Sequence, residues 1–487
     1  MFRVTRSRPV LGAVALAVAA GCTDRTAVTA PARTFSPTAV ASRDAVPVSG
    51  THIFALQNGV PDNFAALVAA KGGELQLVHS QAKVAITSGL TDADANAIAT
   101  VVGGLVGSDF SARWVPTAQE MSSGASSDVT ATGRFTQPPL TAFWLPQQWN
   151  MQQIHATDAW AAGKTGSPSV RVAILDTGLD PNHQELFGVV DGNNVPVDGN
   201  VSANCLKNPC QKGGTSWYDD YFHGTFVGSI VSANNFASAG VAPNVRLVAV
   251  KVLDSLGSGS FSAIVRGVLY AVDNAHARVI NMSLGATING NALLRAPLDF
   301  KAQQQALVDA IEYADSKGTV VVTAAGNDDR NLGDTHPWVS LPCQAGGPQI
   351  CVSATDPRDM IARYSNFGRA AIDVAAPGGD DKHLPRGATF AQAFPFLIVG
   401  PCSGALPHSL CFDPKNPIGS IYILADGTSA SAPHVAGLAA LIASQPGASA
   451  LTAAQIRDRI RSTSDNIGNQ SKFGDGRINV ARALGVQ

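Results

Sequence analysis

The chain has 487 residues, 45% of them apolar and 14% charged, with a formal net charge of −2. That length can bury a large core and suits two or three domains. Its lysines and arginines are scattered and form no basic stripe, so no nucleic-acid partner is expected.

In chain order, Arg3, Arg6 and Arg8 precede an apolar run from Val10 to Ala20. The run is too short to span a bilayer and has signal-peptide form, which assigns residues 1–21 to export. It ends in Ala19-Ala20-Gly21-Cys22, similar to a bacterial lipoprotein signal in which the cysteine is lipidated. Ala17-Val18-Ala19 would also serve as an ordinary cleavage site, so the product is expected at the cell envelope, either anchored to the membrane through Cys22 or secreted. Residues 22–49, rich in Ala, Thr, Pro and Ser, read as a flexible tether.

Residues 50–117 change character. Strand-like Thr51–Leu56, helical Asp62–Ala70, strand-like Leu75–Ser80 and Ala82–Thr87, helical Asp92–Val102 and a final strand Phe110–Val115 give the order βαββαβ. This is a small α+β, ferredoxin-like unit. A linker over 118–141, with Ser122-Ser123-Gly124-Ala125-Ser126-Ser127, is expected to be exposed and protease-sensitive. From 142 to 487, apolar strands alternate with helical segments, which predicts a parallel sheet covered on both faces. Its strands are read at Val170–Leu175, Arg246–Val252, Val279–Ser283, Thr319–Ala324, Ile350–Ser353 and Ala371–Ala375.

Cys205/Cys210, Cys343/Cys351 and Cys402/Cys411 are close-spaced pairs in turn-like contexts, without the double Cys-x-x-Cys spacing of a zinc site. They read as local disulfides that pin surface insertions.

The chemistry-bearing residues stand at the carboxyl ends of the strands, where ligands gather in open α/β sheets. Asp176-Thr177-Gly178 follows the first strand, His223-Gly224-Thr225 opens a helix-like run, and Gly427-Thr428-Ser429 precedes another apolar run, Gly437–Ala443. A carboxylate can orient an imidazole, an imidazole shuttles protons near neutral pH, and a serine at a helix N-terminus lies beside unpaired N–H groups. His183 reads as a surface turn residue and His434 as a helix-packing one.

These three blocks resemble the signature blocks of the subtilisin-like serine proteases, in the family's order. Gly240-Val241-Ala242-Pro243, Asn281-Met282-Ser283-Leu284-Gly285, Ala324-Ala325-Gly326-Asn327 and Asp373-Val374-Ala375-Ala376-Pro377-Gly378 extend the resemblance from about Trp149 to Val480. It implies a serine endopeptidase with Ser429 as nucleophile, His223 as base, Asp176 as its orienting partner and Asn327 as oxyanion donor. Substrate would lie as an extended strand between Ser283-Leu284-Gly285 and Gly257-Ser258-Gly259, with Ala324, Ala325 and Gly326 forming a small, uncharged pocket wall. The position and pattern of the small domain resemble the family's inhibitory propeptide. No cofactor is required for this chemistry. Glu185 falls where many relatives place a calcium-binding Asp, yet few of the six to eight oxygens that calcium needs can be nominated.

The chain departs from the family at Phe226, where a second His is usual, and at Gly228-Ser229. Gly188–Phe222, Ala286–Asp315 and Asp380–Ala425 are long for the family; the first and last, which lead to His223 and Ser429, are expected either to rim the cleft or to be inert surface insertions. A catalytically silent peptide-binding protein on the same fold is the competing reading. A nucleotide-binding domain is set aside for want of a Gly-x-Gly-x-x-Gly fingerprint.

Overall fold

The computed structural model describes residues 46–115, 122–124, 137–190, 201–202, 217–289, 297–333, 337–385, 388–404, 411 and 421–486. The signal segment, Cys22, Cys205, Cys210 and most of the 118–141 linker lie outside them.

The small domain runs β1 (Val46–Leu56), α1 (Phe64–Ala69), β2 (Glu74–His79), β3 (Val84–Ser88), α2 (Asp92–Val102) and β4 (Gly104–Arg113). The βαββαβ order is the expected one, in an antiparallel sheet β2-β3-β1-β4. β1 begins inside the stretch read as tether. β4 starts well before the expected Phe110, because Gly103, left-handed at φ 74°, stops α2 and turns the chain directly into the sheet. Strand alternation buries both faces. Phe54, Leu56 and Ala85 pack beneath Phe64, Val68 and Ile98, while Ile53, Ala55, Val84 and Ile86 join the core of the large domain.

The large domain holds a parallel sheet in the order β15-β14-β12-β10-β6-β8-β7. Its strands are β6 (Arg171–Asp176), β7 (Val201–Ser202), β8 (Arg246–Lys251), β10 (Val279–Met282), β12 (Val320–Ala324), β14 (Ile350–Thr355) and β15 (Val374–Pro377). All six expected strands form. The last begins three residues later than expected and ends two later, at Pro377, and the short β7 carried no periodic signal. Helices α3 (Trp149–Gln153), α4 (Ala156–Ala161), α5 (His223–Val231), α6 (Phe261–Asp273), α7 (Pro297–Ser316), α8 (Phe390–Ala393), α9 (Thr428–Ala443) and α10 (Ala453–Ser462) surround it. α9 is buried along nearly its whole length, which explains its almost uniformly apolar sequence. No helix among the described residues is long and apolar enough to cross a membrane.

Three smaller pairings frame the site. β9 (Ser258–Ser260) is antiparallel to β4, and β11 (Ala286–Asn289) to β13 (Trp338–Leu341). β16 (Ile398–Pro401) and β17 (Tyr422–Ala425) form a ribbon whose outer edge carries β5 (Ser122–Gly124).

Candidate active site

Asp176 ends β6 and His223 begins α5, and both are buried. His223 Nδ1 lies 2.9 and 3.0 Å from the two Asp176 carboxylate oxygens. Since the carboxylate accepts, Nδ1 carries the proton and Nε2 keeps a lone pair. Nε2 is buried and has no hydrogen-bond partner among the described residues. Glycine permits this approach: a Cβ on Gly224 would stand 2.0 Å from the Gly178 carbonyl oxygen. Asp219, which the sequence reading missed, ties the two motifs together. Its carboxylate accepts from Thr177 Oγ1 at 2.9 Å and from Thr225 N and Oγ1 at 2.9 and 2.6 Å. Burial pushes its pKa up, opposed by the Lys251 charge. The only sequence signal was a carboxylate four residues before His223.

Ser429 sits in the first turn of α9, and Gly427 at φ 153° brings the chain into it. A Cβ on Gly427 would lie 2.9 Å from Ser429 Oγ and 3.5 Å from Asn327 Nδ2, so these two atoms face one small space. Asn327 Oδ1 accepts from Thr428 N at 2.9 Å and Thr428 Oγ1 at 2.8 Å. Two donors on that oxygen fix the amide orientation and leave Nδ2 to donate into the space. Pro433 has no N–H to offer the carbonyl four residues back. That carbonyl belongs to Ser429, and the Ser283 hydroxyl donates to it instead at 2.8 Å. The helix proline therefore ties the Ser283-Leu284-Gly285 edge to the Ser429 turn.

Of the expected pocket wall, Gly326 keeps accessible surface. Ala324 and Ala325 are buried, their side chains in two different apolar clusters. Cys343–Cys351 forms as expected, but its placement is a correction. This disulfide is buried in the same cluster as Ala325 and does not pin a surface insertion. Cys402–Cys411 does lie in the Asp380–Ala425 insertion.

Both expected substrate edges are engaged by the small domain. Ser111, Ala112 and Arg113 pair with Ser260, Gly259 and Ser258. Trp114 N then donates to Gly257 O at 2.9 Å, and Gly285 N donates to Trp114 O at 3.0 Å. The buried indole donates to Gly259 O at 2.8 Å and lies near Phe110 and Phe261. Asp109 accepts from Ser262 N at 3.1 Å and Ser262 Oγ at 2.5 Å, adding a negative charge at the N-terminus of α6.

Glu185 is fully buried. Its carboxylate accepts from Phe236, Ala237 and Ser238 N–H groups at 3.0, 2.6 and 2.8 Å and from the Tyr422 hydroxyl at 3.0 Å. Gln148 braces the same loop, accepting from Ala239 N and donating to Ala239 O. Hydrogens point at the Glu185 oxygens where a cation would need lone pairs, so this arrangement does not fit calcium. His183 is also a correction: it is buried, accepts from Glu185 N and donates to Ile421 O, because the turn that carries it lies under the insertion. His434 packs in α9, held by Asn150 and Ala430 O.

The departures at Phe226 and Ser229 have a local cause. A Cβ on Gly400 of β16 would meet the Phe226 ring at 2.6 Å and Ser229 Oγ at 3.2 Å, so α5 is shaped to receive the inserted ribbon.

The family model described as the subtilase family matches residues 167–477. That span contains all three blocks and the Asn327 turn. The chain belongs to the subtilase family. It is 33% identical over 325 residues to thermitase of Thermoactinomyces vulgaris, covering 64% of this chain and 88% of that one. Subtilisin E of Bacillus subtilis (strain 168) is 34% identical over 321 residues, 66% of each chain. Among solved structures, the epidermin leader peptide processing serine protease of Staphylococcus aureus superposes with a TM-score of 0.66 at 22% identity, covering 90% of this chain and 98% of that one. A lanthipeptide protease superposes at 0.56 with 26% identity, covering 73% and 99%. This subtilase is thus a serine-type peptidase acting on protein or peptide substrates, and its small domain lies outside the family match.

Proposed function

We propose that the protein is an exported subtilase made as a self-processing zymogen, with Asp176, His223 and Ser429 as its triad. The observation that carries this reading is Trp114, held between Gly257 and Gly285 as a substrate strand would be. Ser429 Oγ attacks the peptide carbonyl while its proton passes to His223 Nε2. Asp176 holds the imidazole in the required tautomer and stabilises the imidazolium. The tetrahedral oxyanion is met by the Ser429 N–H and Asn327 Nδ2. Collapse expels the amine, which takes the proton from His223, and water then hydrolyses the acyl-enzyme by the same route. Losing one such oxyanion donor costs about 3 kcal/mol, a magnitude established on a subtilisin itself.

In the zymogen the small domain occupies the cleft up to Trp114 and Val115, so the maturation bond lies close behind, at the start of the 118–141 linker. Partly buried, uncharged Gly326 favours apolar or uncharged side chains before the scissile bond. The Arg3, Arg6 and Arg8 leader and Cys22 support export to the cell envelope with a lipid anchor. The Glu185 site works without calcium, its backbone donors standing where an ion would otherwise serve.

A fluorophosphonate probe tests the chemistry. Wild-type protein is expected to label at Ser429 once processed and Ser429→Ala not at all. An unlabelled wild type would favour the silent peptide-binding reading.

A further inference from the structure

The Asp380–Ala425 insertion supplies the β16–β17 ribbon, and β17 leads directly into Asp426-Gly427-Thr428-Ser429. One edge of β17 is paired with β16, from Ile398 opposite Ala425 to Pro401 opposite Tyr422. The other carries β5 of the linker, with Ser122, Ser123 and Gly124 opposite Leu424, Ile423 and Tyr422. The same chain is also held earlier in its course, where Gly285 N bonds Trp114 O. Gly285 is two residues from Ser283, whose hydroxyl bonds the Ser429 carbonyl, and Leu424 is five residues before Ser429. Trp114 and Ser122 are eight residues apart, at most about 28 Å of extended chain. One segment of chain is therefore fastened at two places, each on an element that adjoins the Ser429 turn.

We propose that the outer edge of β17 is a binding site for the part of a substrate that follows the scissile bond, taken as an added antiparallel strand. This rests on the peptidase reading above. The linker is the first occupant of the edge, and extended polypeptide substrates are the later ones.

The side chains of β17 say how this edge recognises a chain. Tyr422 and Leu424 are buried in one cluster with Trp144, Phe394 and Val399, while Ile423 and Ala425 are buried in the main core. Both faces are committed, so the edge has only its backbone to offer. Recognition by main-chain hydrogen bonds tolerates many sequences but rejects residues that lack an N–H donor. Once the linker leaves, the β17 N–H and C=O groups on that edge need new partners. The ribbon is a firm platform for this. Cys402 N bonds Ile421 O, the Cys402–Cys411 disulfide closes its end, and Gly400 sits against Phe226 of the helix that carries His223.

The test uses the processed enzyme and internally quenched peptides that share one sequence before the scissile bond. They extend three or eight residues beyond it, and a third set carries N-methylated amides past the third residue. The eight-residue peptides are expected to show at least tenfold higher kcat/KM, mainly through KM, and N-methylation is expected to return them to the short-peptide value. Equal kcat/KM across the lengths, or no effect of N-methylation, overturns the proposal. If no peptide is cut and Ser429 does not label with fluorophosphonate, the peptidase reading falls, and this proposal with it.

Discussion

At one end of the cleft, Trp114 lies between Gly257 and Gly285, with its indole against Phe261. At the other, Ser122–Gly124 lies along β17 of an insertion with no recognisable block. Both ends hold chain by backbone pairing. They differ in what is offered to the chain: an aromatic anchor is seated at the first, while at the second β17 has both its faces committed to the core and offers its backbone edge. The first end is therefore selective and tight, while the second selects for length and backbone shape.

The largest effects should come from the residues between the two ends. Asp176→Asn puts an N–H donor where a carboxylate oxygen accepted from His223 Nδ1 and removes the charge that stabilises the imidazolium, so the wrong tautomer is favoured and kcat is expected to fall about 10⁴-fold. Asn327→Ala is expected to lower kcat about 10²–10³-fold with little change in KM, because only the transition state uses Nδ2. Steady-state kinetics on one fluorogenic peptide separates the two.

At the anchored end, Trp114→Ala in the isolated small domain, added in trans to processed enzyme, should weaken inhibition about 30-fold or more. This corresponds to losing about 2 kcal/mol from an aromatic anchor. An unchanged inhibition constant would make the two ends equivalent.

Smaller effects concern the supports of the second end. If donors already satisfy Glu185, chelation by EDTA should leave the melting temperature unchanged, whereas Glu185→Ala should lower it by several degrees, since a buried set of N–H donors would lose its acceptor. The pH dependence has two opposed parts. Burial holds His183 and His434 down at about 4. Unfolded histidine titrates near 6.5, so the unfolded chain binds more protons between those values. That stability is fully present above about pH 6.5 and is lost as pH falls toward 4. Asp426, beside the nucleophile turn, is pushed up to about 8 by burial, with Arg363 opposing and Asp380 adding to the shift. The folded state keeps a proton that the unfolded chain releases near 3.9, so stability falls as pH rises from about 4 to 8. Asp426→Asn should remove that decline and leave the acid-side loss in place, as followed by melting temperature against pH.

What the sequence made legible follows from locality. β6, β10 and β12 are short buried apolar runs ending in Asp176, Asn281-Met282-Ser283 and Ala324-Ala325-Gly326-Asn327, so strand and site residue appear together. α2 forms over the Asp92–Val102 that the sequence predicts, because its cap at Thr91 and its left-handed stop at Gly103 are both local. Side-chain burial at Ala324 and Ala325 was not legible, because a small residue at a strand end suits a pocket wall and a core equally well. Nor was the burial of His183, which depends on the insertion more than 200 residues later that packs Tyr422 against it. Asp219 was hidden for a similar reason: its partners Thr177 and Thr225 converge only in the folded chain. The β5–β17 pairing joins a Ser/Gly linker to an inserted strand, and neither carries a periodic pattern naming the other.

The most direct test of the zymogen account is the intact mass of the expressed wild-type protein beside that of Ser429→Ala. The account predicts that wild type loses a fragment ending shortly after Val115 while Ser429→Ala keeps its small domain and linker joined. Identical processing of the two, or an uncut wild type, would contradict it.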